Sequence, residues 1–397
     1  MTLGPLKLTP LHVEKPWGGR ALSRLFGRTL SEGACIGESW EVSDRPEAQS
    51  LVAEGPQKGR ALEDLRRTFG EALIGTLASA VSPGRFPLLI KWIDARELLS
   101  VQVHPDDGAA RALGEPDPGK TEAWIVADAE PGARMVYGLR ERMTGEAVRA
   151  AAAAGGIEPH LGWVAAQPGD CFMVPPGAVH ALGAGIVVYE VQQNSNITYR
   201  LWDWGRTGAD GRPRDLHLDR AASVLDGGFG PQGPVPPVRI ALDGGSRRYA
   251  VACSHFAVEI LEVRPGGSIA DRCDGRSFHA LTVWEGNGEI IPHPPPAPSL
   301  SVYGERAVGR DLMGATGGVG GNNGLSPWSG EGEVVSRLTP LSAGDTVLVP
   351  ACAGDYRLTS APGLRVIKSC VPDLDADVVA PLRRAGVPEE DIRRILR

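Results

Sequence analysis

Short apolar runs bounded by glycine or proline recur along this chain. FPLLIKWI, EAWIVADA, CFMVPPGAV and GIVVYEVQQ have the length and the punctuation of β-strands. From Leu3 to Asp44, short strands and turns lead into IGESWEVS. Helical spacing stands out in two stretches: Arg60 to Ser79, RALEDLRRTFGEALIGTLAS, ending near Pro83-Gly84, and Thr144 to Ala154, ahead of Gly155-Gly156. Strands with a few inserted helices predict a mainly β fold, a β-sandwich or small barrel.

From Tyr249 the strand pattern starts again, with AVACSHFAVEILEVRP, FHALTVWEGNGEI and LSAGDTVLVPACAGDYRLTS. The last parallels PGDCFMVPPGAVHALG, in that both carry Gly-Asp, an apolar strand and a proline. A repeated barrel unit is therefore expected. In the second copy Tyr356 or a neighbour stands where the first has His180, no Q-x-H strand precedes it, and His279 has no evident partner. That copy should be structural and metal-free. The expected division is a first unit over 1–240, a second over 241–372 and a helical tail over 373–397. Within the second, 292–333 contains HPPPAPS and GATGGVGGNNG, too little apolar surface to offset ordering entropy, so a long mobile loop is expected there.

Length narrows the classes further: 397 residues are too many for one ordinary domain. A formal charge of -7 without a basic run argues against nucleic acid as a partner. No segment approaches the ~20 apolar residues that span a bilayer, and the first residues lack the apolar core of a signal peptide. A cytoplasmic protein is expected. Six scattered cysteines without a C-x-x-C pair read as reduced, mostly buried thiols.

The chemistry starts at SVQVHPDD. Side chains alternate along a strand, so Gln102 and His104 project to one face. Together with Glu122 in GKTEAW and His180 after the Pro-Gly turn, they make a mixed nitrogen and oxygen donor set without thiolates. Such a set suits a divalent ion such as zinc and leaves coordination positions for water or substrate.

KPWGG at Lys15 to Gly19, IGESWEVSD at Ile36 to Asp44, FPLLIKWIDARELLSVQVHPDD at Phe86 to Asp107, GKTEAW at Gly119 to Trp124, and PGDCFMVPPGAVHALG through VYEVQQNSNITYRLWDW at Pro168 to Trp204 keep one order. In that order the chain resembles the type I mannose-6-phosphate isomerases, metal-dependent members of the cupin superfamily. The resemblance implies two cupin-type jelly-roll barrels with helical insertions, the second degenerate, and one zinc per chain held by Gln102, His104, Glu122 and His180. It also implies interconversion of mannose 6-phosphate and fructose 6-phosphate through an enediolate. The partner is then a small sugar phosphate; the oligomeric state stays open.

For the remaining roles, the resemblance places Arg200 over the substrate. Lys120, on the Glu122 face of an extended segment, Glu190 and a metal-bound water are the candidates for moving the proton, with a lowered pKa expected for Lys120 beside a cation. No phosphate-cradling glycine loop occurs; the resemblance implies that the individual side chains Lys91 and Ser100 hold the phosphate instead, with Glu38 as a further pocket candidate. Asn196 stands where many relatives have an acid, and it can hydrogen-bond but not accept a proton. Two other readings follow: a metal cupin with a different reaction, such as an oxygenase, or with another sugar-phosphate substrate, and a sugar-binding or regulatory homologue with weakened catalysis.

Overall fold

The computed structural model describes residues 3–207, 211–292 and 338–397. In the first half two antiparallel sheets face each other. One has five strands in the order Leu161–Ala165, Arg134–Leu139, His180–Ala181, Val101–Val103, Tyr199–Trp202. The other has six, Cys171–Val174, Glu122–Ala129, Ile186–Gln193, Leu88–Ala95, Leu11–Gly19, Ile36–Val42. The chain is thus mainly β, as expected.

Alternation sorts the central strands of the six-stranded sheet onto two faces. Ile93, Trp124, Val126 and Val188 point into the space between the sheets, against Met135 and Phe172. Ile90, Trp92, Ile125, Tyr189 and Val191 point the other way, into a core shared with the second half. Burial on both faces explains why these strands read as unbroken apolar runs. The outer face of the five-stranded sheet is covered by the helices Asp107–Ala112, Gly145–Ala153 and Leu218–Val224, through Ala110, Val148, Ala152 and Ala221. Thr144 caps the middle one, accepting a hydrogen bond from the Ala147 amide at 3.2 Å, which satisfies one of the orphan N–H groups of the first turn.

The second half is built on a larger sheet in the order Val238–Leu242, Gly245–Ala252, Ala257–Val263, Leu364–Cys370, His279–Pro292, Thr346–Val349, Leu6–Thr9, Leu51–Val52. Its far face closes with Gly267–Cys273 and Gly354–Ser360 around Leu261, Ile269, Leu281, Val347 and Leu358. This corrects the expected boundary at 240. Leu6–Thr9 pairs with Thr346–Val349, Leu6 opposite Leu348, and Val238–Leu242 pairs with Gly245–Ala252. Both strands lie in the sheet of the second unit.

One helical expectation is corrected as well. The stretch 60–79 is three short helices, Leu62–Phe69, Glu71–Ile74 and Thr76–Val81, broken at Gly70 (φ 49°) and Gly75 (φ 96°). At Gly75 a β-carbon would stand 2.2 Å from the Arg276 carbonyl oxygen, so tertiary packing sets the break. The terminal segment is helical in short pieces, Leu374–Val379, Ala380–Arg384 and Glu389–Ile395, and Ile392 and Ile395 are buried in the shared core. The loop expected over 292–333 lies outside the described residues, apart from Pro292, which ends a strand. No described helix is long and apolar enough to cross a membrane.

Candidate metal centre and substrate site

The candidate ligands meet in the space between the two sheets. Gln102 and His180 are directly paired in the five-stranded sheet, and His104 follows its Val101–Val103 strand. Glu122 opens a strand of the facing sheet. His104, Glu122 and His180 each offer one donor atom, all within 4.8 Å of one another. His180 Nε2 lies 3.3 Å from Glu122 Oε1 and 3.3 Å from Gln102 Nε2, and His104 Nε2 lies 3.6 Å from Glu122 Oε2. A half-turn about its last side-chain bond presents the Gln102 oxygen to the same point. Among the described residues this is the one cluster of its kind.

Electrostatics single out the same cluster. Burial, with help from the Lys120 charge, keeps His104 neutral well below the usual imidazole range, and burial pushes His180 down to about 4. His180 Nδ1 faces the Ala178 carbonyl at 2.9 Å, so Nδ1–H donates there and the Nε2 lone pair points at the cluster. Burial pushes Glu122 up to about 7, against the opposing pull of Lys120. Beyond that ammonium, 2.5 Å from Oε2, the Glu122 oxygens accept no hydrogen bond. Two neutral imidazoles and a buried carboxylate short of positive charge fit a divalent cation.

Lys120 also lies 3.3 Å from His104 Nε2. Burial lowers its pKa, but Glu122 and Glu190 raise it further, so the net shift is upward. The lowered value expected from sequence depends on a cation in the site; with the protein's own charges alone, Lys120 is held as an ammonium.

Next along the same face stands a wall of carboxylates and tryptophans. Glu190 accepts from the Trp124 indole at 3.1 Å and lies 3.4 Å from Lys91 Nζ. Glu38 accepts from the Trp40 indole at 2.7 Å and lies 3.6 Å from the same Lys91 Nζ and 3.1 Å from Lys15 Nζ. Burial opposes ionisation of both acids. Lys120 and Lys91 nonetheless hold Glu190 below the usual range, and Lys91 and Lys15 hold Glu38 at about 2. Lys91, expected to take phosphate, is thus clamped between two carboxylates over the Trp40 ring, and its charge is already engaged. Trp40 and Trp124 went unremarked in the sequence, although the alternation that aligns Lys120 with Glu122 reaches Trp124 too.

Arg200 stands directly opposite Gln102 and shares its face. Its Nη1 donates to the Asp215 carbonyl at 2.8 Å, and burial together with Arg214 lowers its pKa. Arg206 and Arg214 both bind Asp203, at 2.5 and 2.7 Å. Arg206 also reaches the Leu98 carbonyl, and Trp204 (φ 58°) donates to that of Leu99 at 2.7 Å. A non-glycine residue in the left-handed region costs about 1–3 kcal/mol, and these two bonds hold the segment against Leu98 and Leu99, next in sequence to the buried Ser100. Sequence reasoning found Arg200 and missed Arg206 and Arg214. Asn196 is not brought to the ligands: it is exposed, with its amide N–H on Asp117 at 3.0 Å and its side chain 3.4 Å from Glu47.

Comparison with known proteins agrees with this geometry. A family model described as "Phosphomannose isomerase type I, catalytic domain" matches residues 6–124. The mannose-6-phosphate isomerase ManA of Bacillus subtilis is 34% identical over 300 residues, 73% of this chain and 89% of the relative. The mannose-6-phosphate isomerase of Streptococcus mutans is 38% identical over 254 residues, 64% of this chain and 77% of the relative. The chain belongs to the type I phosphomannose isomerase family. A crystal structure of the Bacillus subtilis mannose 6-phosphate isomerase superposes with a TM-score of 0.73 at 29% identity, covering 92% of this chain and 99% of that one. The family model ends at Trp124, so it takes in Gln102, His104 and Glu122 but not His180 or Arg200; those two are tied to the site by the strand pairing described above.

Proposed function

We propose that this chain interconverts mannose 6-phosphate and fructose 6-phosphate, with one zinc ion held by Gln102, His104, Glu122 and His180. The observation that carries the reading is the triad within 4.8 Å, buried between two sheets of a type I phosphomannose isomerase frame. When bound, the ion supplies Lewis-acid polarisation of the sugar oxygens. Lys120 and Glu190 border the site with opposite charges, and one of them moves the proton between C1 and C2. Arg200 faces the same space and stabilises negative charge as it develops on the sugar. The phosphate is held by Ser100 with Arg206 and Arg214, whose guanidiniums share one carboxylate and so leave an excess of positive charge.

A catalytically weakened homologue would find its support in Asn196, but that side chain points to Glu47 at the surface. Its amide takes nothing away from the ligands. The test is a coupled assay on mannose 6-phosphate with chelator-stripped and zinc-restored protein, alongside metal analysis. Turnover that appears only on restoration is expected; full turnover in stripped protein would overturn the zinc assignment, and none in zinc-loaded protein would overturn the substrate.

A further inference from the structure

The wall that carries Glu38 and Glu190 has a polar back. Behind it, inside the core shared by the two units, runs a buried hydrogen-bonded chain. Arg28 forks onto Glu41 at 2.8 and 2.9 Å and donates to the Gly344 carbonyl at 2.7 Å. Glu41 also accepts from Ser39 at 2.7 Å and from Thr346 at 3.2 Å. Thr346 bonds Thr282 at 2.9 Å, Thr282 bonds the Tyr189 hydroxyl, and that hydroxyl meets Ser369 at 2.9 Å. Glu41, Thr346, Thr282, Tyr189 and Ser369 are each at most 2% exposed, so none of these groups can turn to water if a link is lost.

The links cross between units. Arg28, Ser39, Glu41 and Tyr189 belong to the first, whereas Thr282, Gly344, Thr346 and Ser369 belong to the second. Strand alternation then ties back to front. Tyr189 precedes Glu190 on one strand and is paired with Trp92, while Glu190 is paired with Lys91. Ser39 sits between Glu38 and Trp40 and is likewise opposite Trp92. The same two strands that face the metal cluster are therefore pinned from behind by hydroxyls of the second unit.

We propose that this network is a positioning device, in which Tyr189, Thr282, Thr346 and Glu41 fix the placement of Glu190 and Glu38 in the reacting site. The second unit then takes part in turnover without contributing a ligand. This rests on the isomerase reading for its kinetic test, and one measurement is independent of it. Tyr189→Phe and Thr346→Val keep the shape of the core and remove one hydroxyl each. Each should lower kcat by about 10-fold, the scale of a sub-ångström misplacement, with KM and zinc content unchanged, and Thr346→Ser should restore the parent value. Ile367→Val, an apolar change in the same core, should leave kcat alone even if it lowers the melting temperature.

The independent measurement is the indole N–H resonance of Trp124, whose proton goes to Glu190. It should move in Tyr189→Phe and stay in Ile367→Val, whatever the substrate of the protein. Unchanged kcat and an unmoved Trp124 resonance in both hydroxyl variants, with only stability lost, would overturn the proposal. If the parent fails to turn over mannose 6-phosphate, the isomerase reading falls and the resonance alone decides the positioning role.

Discussion

The two units each bury a polar group cluster between their sheets, and they finish the task differently. In the second, Lys368 Nζ lies 3.0 Å from both Glu259 and Asp271, and Arg247 reaches the same carboxylates at 3.3 and 2.9 Å. His279, expected to lack a partner, is buried with Nδ1 2.8 Å from the Tyr356 hydroxyl, and burial pushes it down to about 3. Two cations close on two anions, and the histidine is bonded. In the first unit, Glu122, His104 and His180 turn their donor atoms toward one point with a single ammonium in contact. One interior is self-neutralised and the other is short of charge, and only the second kind offers an ion something to gain.

The sharpest way to break this contrast is His180→Ala. It should cost at least about 100-fold in metal affinity and abolish turnover while circular dichroism shows an intact fold. Full metal retention would sink the ligand assignment. Arg200→Ala should then lower kcat by on the order of 100-fold with a small change in KM, and a kcat near that of the parent would make Arg200 a structural residue.

Metal affinity should also depend on pH in a way the second unit cannot show. Glu122 must be ionised to bind the ion, and burial holds it at about 7, whereas His180 is already neutral above about 4. Affinity measured by titration should therefore fall by about tenfold per unit as pH drops below 7. Without metal the sign reverses: an acid raised from 4.5 to about 7 makes stability fall as pH rises across that window. His180, lowered from 6.5 to about 4, opposes this, since its contribution rises with pH over the range it spans. A metal affinity flat from pH 5 to 8 would contradict the charge-short interior.

Arg206→Ala should raise KM for mannose 6-phosphate by about 10-fold with metal content unchanged, and Lys91→Met should alter kcat more than the preference for phosphorylated sugar. The reverse pattern would return the phosphate to Lys91. Smallest of all on turnover is the second unit's own cluster. Lys368→Met leaves two buried carboxylates short of a partner and should cost about 3–5 kcal/mol of stability, yet the metal-to-protein ratio of the folded fraction should not move.

How much of this was legible depended on whether a contact is local. Gln102, His104, Lys120 and Glu122 follow from a period of two along a strand, and alternation needs no tertiary information. The partners of Lys91 do not, because Glu38 and Glu190 come from strands on either side of its own. The helix expected over 60–79 failed at Gly75, where the obstruction is the Arg276 carbonyl two hundred residues away. Tyr356 is 77 residues from His279, on a strand that joins it only in the folded sheet. The domain boundary failed for the same reason, since nothing in LKLT announces a partner in TVLV.

That pairing has a consequence for how the molecule is made. Leu6–Thr9 bridges Leu51–Val52, close to it in sequence, to Thr346–Val349, which is synthesised long after it. Its backbone donors on one side must wait until Thr346–Val349 has emerged. Contacts of such sequence separation are slow to form, and an unpaired edge invites strangers in the meantime. The first unit, for all that it holds every candidate metal ligand, would leave the ribosome with an open seam, and separating the units by truncation would reopen it.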